Sequence, residues 1–354
     1  MPESVGRVML FAGRVSYYLG TAICEHLRCY PGMDQLELCE PRVVRFANEN
    51  IKVRIQQSVR GADVFLVQTA ADAAHAAAGI NSRRVNLKEY GGLPLSESLL
   101  EMLITIDALR GASAGRINVV APYFPYVRSD KKDEPRVSIA AQLMGRLLHE
   151  AGADRVLTVN LHASQVMGFM PMPCDQLDAN PIIAEHFRRN CDLSRLGVLA
   201  TDGGGVKIAT VYADRLNVPL AVCDKRRWRD NEDPEVRAVI GIDEIRGRDI
   251  AIFDDEILTG GTMCRAIAAL KDRFDLEVSY VSCVHAAFDR AGARRVLDAG
   301  VKEIVTSDTL PPPRVDDKIH VVSVAPLLAA AIRNIHTNMS VTQIFREQEQ
   351  LFKF

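Results

Sequence analysis

The sequence predicts an α/β protein built as two halves in tandem, each a mainly parallel sheet flanked by helices. Three observations predict it. Short apolar runs rich in Val, Ile, Leu and Phe alternate with longer amphipathic stretches, the pattern of parallel strands buried on both faces by crossover helices. That pattern runs to about residue 160 and then begins again. The chain has 354 residues, more than a single core supports, since one core stops growing at roughly 250–300 residues.

In the first half the expected strands are RVMLFAG from Arg7, the LELCEPRVVRF region from Leu36, DVFLVQT from Asp63, RINVVAPYF from Arg116 and RVLTVNL from Arg155. In the second half they are LGVLATD from Leu196, PLAVCD from Pro219, RDIAIFDD from Arg248, EVSYVSCVH from Glu277, EIVTSD from Glu303 and IHVVSV from Ile319. Between them SESLLEMLITIDALR from Ser96, SIAAQLMGRLLHEAG from Ser138 and GVKIATVYADRLN from Gly205 read as helices. The last two carry apolar residues at helical spacing and end on a Gly or Asn suited to a left-handed cap. Prolines cluster in FMPMPCDQLDANP, Phe169 to Pro181, and a boundary there gives domains 1–178 and 179–354. The connection from Ala70 to Leu95, about two dozen residues, exceeds the loops of compact domains, and connections of that length usually carry function.

Apolar residues make up 48% of the chain and charged residues 25%, the balance of a soluble globular protein. A net charge of −2 gives no electrostatic reason for nucleic acid or an anionic membrane as a partner, and neither is expected. Eight cysteines are scattered without a CxxC pair, and the N-terminus runs within a few residues into the first strand. Reduced thiols in a cytoplasmic protein are the expectation.

The chemistry concentrates at strand ends. In AIFDDEILTGGTMCRAI, Ala251 to Ile267, an apolar strand ends in Asp254 and Asp255 and then turns through Leu258, Thr259, Gly260, Gly261 and Thr262 into a helix. Adjacent carboxylates repel, so a strand end that keeps both points to a metal ion or a polyhydroxy ligand. The glycine-rich turn offers backbone N–H groups and hydroxyls to a phosphate. Taken singly, each half also describes a solvated, capped turn. Together, directly after a hydrophobic strand, they suggest a sugar phosphate, and the stretch resembles the ribose-5-phosphate loop of the phosphoribosyltransferase fold.

Four neighbours extend the set. APYFPYVRSDKKDEPR, Ala121 to Arg136, ends a strand and then intersperses Arg128, Lys131, Lys132 and Arg136 with Asp130 and Asp133, which suits a polyphosphate as well as a wet loop. NLHASQ places His162 at another strand end, where a histidine is either structural or an aid to a Mg²⁺ already bound by nucleotide phosphates. ATDGGG puts Asp202 before glycines that admit close backbone approach. VCDKRRWRDNEDPEV opens a polar loop with Lys225, Arg226 and Arg227, able to bring charge to a phosphate in transfer.

With FANEN, SVRGAD, FPYVRSDKKD, AGADRVLTVNLHASQVMGF, DGGG, the Lys225–Arg227 cluster and FDDEILTGGT in this order, the chain resembles the ribose-phosphate diphosphokinases, or phosphoribosyl pyrophosphate synthetases, over nearly its whole length. The resemblance implies two tandem phosphoribosyltransferase-like domains and transfer of the diphosphoryl group of MgATP to ribose 5-phosphate, giving phosphoribosyl pyrophosphate and AMP. Asp254 and Asp255 then hold the ribose hydroxyls and Leu258 to Thr262 the 5′-phosphate. Phe46, Asn48, Asn50, Arg128, Ser129 and Asp133 match nucleotide-contacting positions, His162 and Asp202 the Mg²⁺-associated pair, and Lys225, Arg227 and His162 the catalytic set. A homo-oligomer whose active site is shared between subunits is implied, because the hairpin of Phe46 and Asn48 contacts adenine from a neighbouring subunit. The sequence departs from the family pattern at Asn50, where glutamate is usual, at Asn160, where the histidine motif generally begins with Asp, and at Leu258, Ser129 and Met170. Asn50, Asn160 and Leu258 keep a noncatalytic regulatory paralogue as the alternative. A phosphoribosyltransferase is a third reading, weakened by a nucleotide-binding first half for which it has no use.

Overall fold

The computed structural model describes residues 6–69, 94–226, 235–312 and 316–344. The long connection read at Ala70 to Leu95 lies almost wholly outside the described residues, as does Arg227. The chain divides into two compact units. One comprises the chain through Asp178 with Thr309–Pro311 and the stretch from Ser323 onward; the other comprises Ala179–Asp308 and Pro312–Val322.

The first unit holds a six-stranded, all-parallel sheet among the described residues. Its strands are β1 (Val8–Ala12), β2 (Leu38–Cys39), β5 (Asp63–Val67), β6 (Arg116–Val120), β7 (Arg155–Val159) and β8 (Cys174–Leu177), in the order β2-β1-β5-β6-β7-β8. Every residue of β5 is buried, as expected of a central parallel strand covered on both faces. The LELCEPRVVRF run divides: its start pairs at the sheet edge as β2, and its end is β3 (Arg42–Arg45) of a separate antiparallel hairpin with β4 (Ile51–Arg54). Helices α1 (Tyr17–Arg28), α2 (Leu95–Gly111) and α3 (Ala140–Ala151) belong to this unit, and α3 ends on Gly152 at φ 115°.

The second unit holds a seven-stranded sheet among the described residues: β9 (Leu196–Ala200), β10 (Leu220–Arg226), β11 (Glu235–Ile240), β12 (Asp249–Ile257), β13 (Val278–Ala286), β14 (Glu303–Ser307) and β15 (Ile319–Val322). The order is β11-β10-β9-β12-β13-β14-β15, parallel throughout except β11, which returns antiparallel along β10. Helices α4 (Asn180–Asn190), α5 (Val206–Leu216), the one-turn α6 (Ile242–Ile245), α7 (Gly261–Phe274) and α8 (Arg290–Asp298) complete it, and α5 stops on Asn217 at φ 54°. Under the end of β12, Phe253 stacks on Tyr212 with ring centroids 3.7 Å apart and meets Phe187 at 5.0 Å, a stiff aromatic base for the acidic strand end above it.

The expected domain 179–354 differs from the observed second unit at its end. After β15 the chain returns to the first unit, where α9 (Ala325–His336) packs on α1 and Arg333 lies over the Tyr30 ring at 5.0 Å. The reason is local chemistry: α9 is buried on nearly all sides, and its last residue, His336, bonds the buried carboxylate of Asp63 at 2.8 Å.

Candidate active site

In open α/β sheets ligands bind beyond the carboxyl ends of the strands, where the strand order reverses direction. In the second sheet the chain goes from β9 to β10 on one side and then back to β12 on the other, so the reversal falls between β9 and β12. Asp202 follows β9, and Asp254 and Asp255 lie near the end of β12, just before Glu256 and its final residue Ile257. The two acidic stretches picked from sequence therefore flank the switch point.

Their electrostatics are coupled. Burial pushes the Asp254 carboxyl up, and the neighbouring Asp255 and the charge of Asp202 push it further, to about 7. The Asp255 N–H donates to Asp254 Oδ1 and the Glu256 N–H to Asp255 Oδ1, each at 2.9 Å, which fixes both carboxylates at the strand end. Asp202 Oδ1 accepts the Gly205 N–H at 2.9 Å and so shapes the turn into α5.

From Ile257 the chain turns through exposed Leu258 and Thr259 to Gly260, at φ 72°, and α7 begins at Gly261. Only glycine suits position 260. Beyond the left-handed backbone, a Cβ there would come within 2.8 Å of Val296 Cγ2 and 3.2 Å of the Gly292 carbonyl oxygen on α8. The Gly260 carbonyl accepts the Cys264 N–H at 2.9 Å, while Thr259 Oγ1 accepts the Gly261 N–H at 3.4 Å and the Thr262 hydroxyl stays exposed. The result is a loop of polar groups at the N-terminus of a 14-residue helix, an arrangement that favours an anion. Lys225 lies near the end of β10, beside β9, with a register shift between Asp224 and Lys225 in the pairing with β11.

In the first unit the remaining expected residues follow β6 and β7, which are neighbours in the sheet. Arg128 and Asp133 are exposed after β6, and His162 is exposed after β7. The two loops are tied together by Gln165 Nε2, which donates to the buried Asp130 at 3.0 Å. Sequence reasoning listed Asp130 only as part of a charge run, because burial of one carboxylate among six charged neighbours leaves no mark in composition. The Ser129 hydroxyl is engaged within the protein, donating to the Ser138 carbonyl at 3.0 Å and accepting the Ala140 N–H at 3.3 Å at the start of α3. Asn160 has φ 37°, and its amide donates to Asp178 at 3.0 Å. An aspartate there would face another carboxylate, so the departure from the family pattern has a structural reason.

Phe46, Asn48 and Asn50 form the tip of the β3–β4 hairpin. The Phe46 N–H donates to the Asn50 carbonyl at 2.8 Å, the Glu49 N–H to the Phe46 carbonyl at 2.9 Å, and the Asn50 N–H to Asn48 Oδ1 at 3.2 Å. Phe46 is 49% exposed, a large aromatic held out by a closed turn.

For a metal ion, the donor chemistry in the second unit suits a hard cation. Asp202, Asp254 and Asp255 offer oxygens, and their mutual repulsion is what a divalent ion relieves. Among the described residues no group of three or more His, Cys, Asp or Glu side chains is arranged to enclose an ion. Among the described residues no helix is long and apolar enough to cross a membrane.

Residues 8–152 match the model of the N-terminal domain of ribose phosphate pyrophosphokinase, and residues 175–316 match the phosphoribosyl transferase domain. A ribose-phosphate pyrophosphokinase of Deinococcus radiodurans is 37% identical, the match covering 96% of this chain and 98% of that protein. One of Rhizobium meliloti is 38% identical over 95% of this chain and 99% of its own. The crystal structure of phosphoribosylpyrophosphate synthetase from Mycobacterium smegmatis superposes with a TM-score of 0.78 at 31% identity, covering 94% of this chain and 99% of that one. Matched along both halves and almost end to end, the chain belongs to the ribose-phosphate pyrophosphokinase family.

Proposed function

We infer that this chain transfers the diphosphoryl group of ATP to the anomeric hydroxyl of ribose 5-phosphate, giving phosphoribosyl pyrophosphate and AMP. The observation that carries the reading is the coupled Asp254–Asp255 strand end at the switch point, running straight into the Thr259–Gly260–Gly261–Thr262 turn of α7. In this reading Asp254 and Asp255 accept hydrogen bonds from the vicinal ribose hydroxyls. The Leu258 to Thr262 loop takes the 5′-phosphate on backbone N–H groups and hydroxyls.

The reaction asks for in-line positioning and cancellation of charge more than for a covalent catalyst. Arg128 and Asp133 contact the nucleotide, and Phe46, Asn48 and Asn50 contact its base from a neighbouring copy, which makes the protein a homo-oligomer. Ser129 acts by shaping the loop that carries Arg128. Lys225 and Arg227 bring positive charge to the group in transfer. For a Mg²⁺ that would neutralise nucleotide phosphate charge, His162 in the first unit and Asp202 in the second are each a proposed partner. The eight free cysteines suit a reducing cytoplasm.

The test is direct: purified protein is incubated with ATP, Mg²⁺ and ribose 5-phosphate, and nucleotide products are separated by chromatography. AMP formed only when the sugar phosphate is present supports the reading; ADP, or no turnover, overturns it. Asp255→Ala separates the pocket assignment from the activity, because it should raise the KM for ribose 5-phosphate.

A further inference from the structure

A chain of charged side chains runs through the first unit and ends at the hairpin tip. It starts at Glu101 on α2, whose side chain has no solvent exposure. Arg14, in the turn directly after β1, binds Glu101 twice: its backbone N–H donates to Oε1 at 3.1 Å and its Nε to Oε2 at 2.6 Å. Arg14 Nη2 then reaches Glu97 at 3.1 Å, one turn earlier on α2. The other carboxylate oxygen of Glu97 lies 3.7 Å from Arg45 Nη1, and Arg45 also pairs with Glu49. Arg45 is the last residue of β3, immediately before Phe46, and Glu49 sits in the turn at φ 68°.

The arrangement is not what helix stability asks for. Glu97 and Glu101 are four apart on one helix, a like-charge spacing that is destabilising by a few tenths of a kcal/mol unless a cation lies between them. Arg14 supplies that cation, and Glu97 is left with a second oxygen for Arg45. The two grips on Arg45 differ in kind. Glu49 is 74% exposed, so its pair with Arg45 is heavily screened; Glu97 is 13% exposed and stands on a helix fixed in the core. The hairpin is only two strands, and a two-stranded hairpin alone is marginal in water, so its pose depends on what its inner side holds.

We propose that Glu97, oriented by Arg14, is a positioning residue that sets the pose of the Phe46–Asn50 turn through Arg45 and thereby tunes nucleotide affinity. This rests on the reading that the turn contacts the nucleotide base, and the experiment separates the two. Full-length assembled protein is assayed at steady state with Phe46→Ala, Glu97→Gln, Arg45→Gln, the Glu97→Gln/Arg45→Gln double variant and Glu49→Gln. Glu97→Gln should raise the KM for ATP about fivefold, the consequence of losing a partly shielded ion pair worth about 1 kcal/mol. The KM for ribose 5-phosphate and kcat should stay within twofold. The double variant should be no worse than either single one, because both remove the same contact, and Glu49→Gln should change little. If Phe46→Ala leaves the KM for ATP unchanged, the hairpin does not read the nucleotide and the underlying reading falls. If Phe46→Ala raises it while Glu97→Gln does not, or if Glu97→Gln and Arg45→Gln are additive, the positioning role is overturned. An equal rise in both KM values would mark Glu97 as merely structural.

Discussion

Replacing Asp63 with asparagine should loosen the last described helix from the body of the protein. Asp63 opens β5 with its side chain 1% exposed and accepts four hydrogen bonds. Arg116 donates from Nε at 2.7 Å and from Nη2 at 2.6 Å, Asn118 Nδ2 donates at 2.8 Å, and His336 Nδ1 approaches at 2.8 Å. Arg116 Nη2 also donates to the Ile335 carbonyl at 3.3 Å, so helix α9 ends against the same cluster. Burial pushes the Asp63 carboxyl up, but the bonds from Arg116, His336 and Asn118 and the Arg116 charge outweigh it and hold it below the usual carboxylate range. Removing one partner of a buried ion pair costs about 3–5 kcal/mol. Arg116 keeps 28% of its side chain exposed and recovers some hydration, so about 2–4 kcal/mol is expected here. At about 2–4 °C per kcal/mol for a domain of this size, the first unit should melt roughly 5–15 °C earlier. Hydrogen exchange makes the test local: amides of α9 should lose protection while those of α7 keep it. The sign with pH follows from the lowered value. The stabilisation from ionised Asp63 is fully present above the unfolded carboxylate pKa of about 3.9 and is lost as pH falls through the lower folded value. A melting loss worth less than about 1 kcal/mol, or faster exchange spread evenly over both units, would refute the argument that this carboxylate docks α9.

Four further outcomes follow from the site. With the Asp254 carboxyl pushed up to about 7, ribose 5-phosphate should bind the metal-free protein roughly ten times more tightly at pH 8 than at pH 6, since ribose hydroxyls donate to the ionised form; a flat calorimetric profile would contradict it. The same raised value means that Asp254 costs stability as pH rises from about 4 towards 7, and Asp255→Asn should flatten that loss in thermal melts. Gly260→Ala forces a side chain into a φ of 72° and against Val296, at a cost of about 1–3 kcal/mol, so sugar phosphate affinity should fall on the order of tenfold or more by titration. Asn160→Asp sets a second carboxylate against Asp178 and should lower the melting temperature more at pH 8 than at pH 5, where one of the pair can take a proton; equal losses at both would remove the explanation for asparagine.

Much of the candidate site was legible because it lies at the ends of strands. Asp202, Asp254 and Asp255 each follow an apolar run, and a parallel sheet carries all such ends to one edge. Local signals also located the caps, Gly152 and Asn217 taking the left-handed conformations that their residue types suggest. Elements too short or too polar for a periodic signal were missed: β8, two residues past Met172 in the proline-rich segment, and β4 and β11, each antiparallel to its neighbour. Asp130 read as one charge in a wet run, and its burial against Gln165 depends on a loop 35 residues away.

By itself the amino-acid order determined the layered α/β plan, the acidic strand ends and the glycine turn into α7, because backbone periodicity, turn chemistry and strand-end placement act over a few residues. Only the folded chain decided that β9 and β12 flank the reversal of strand order, that three carboxylates there share one field, that α9 leaves the second unit for Asp63, and that Glu97 meets both Arg14 and Arg45. Those outcomes join residues from about 50 to more than 270 positions apart, and such pairings are selected by packing and by the cost of leaving buried charge unmatched, neither of which any local stretch encodes.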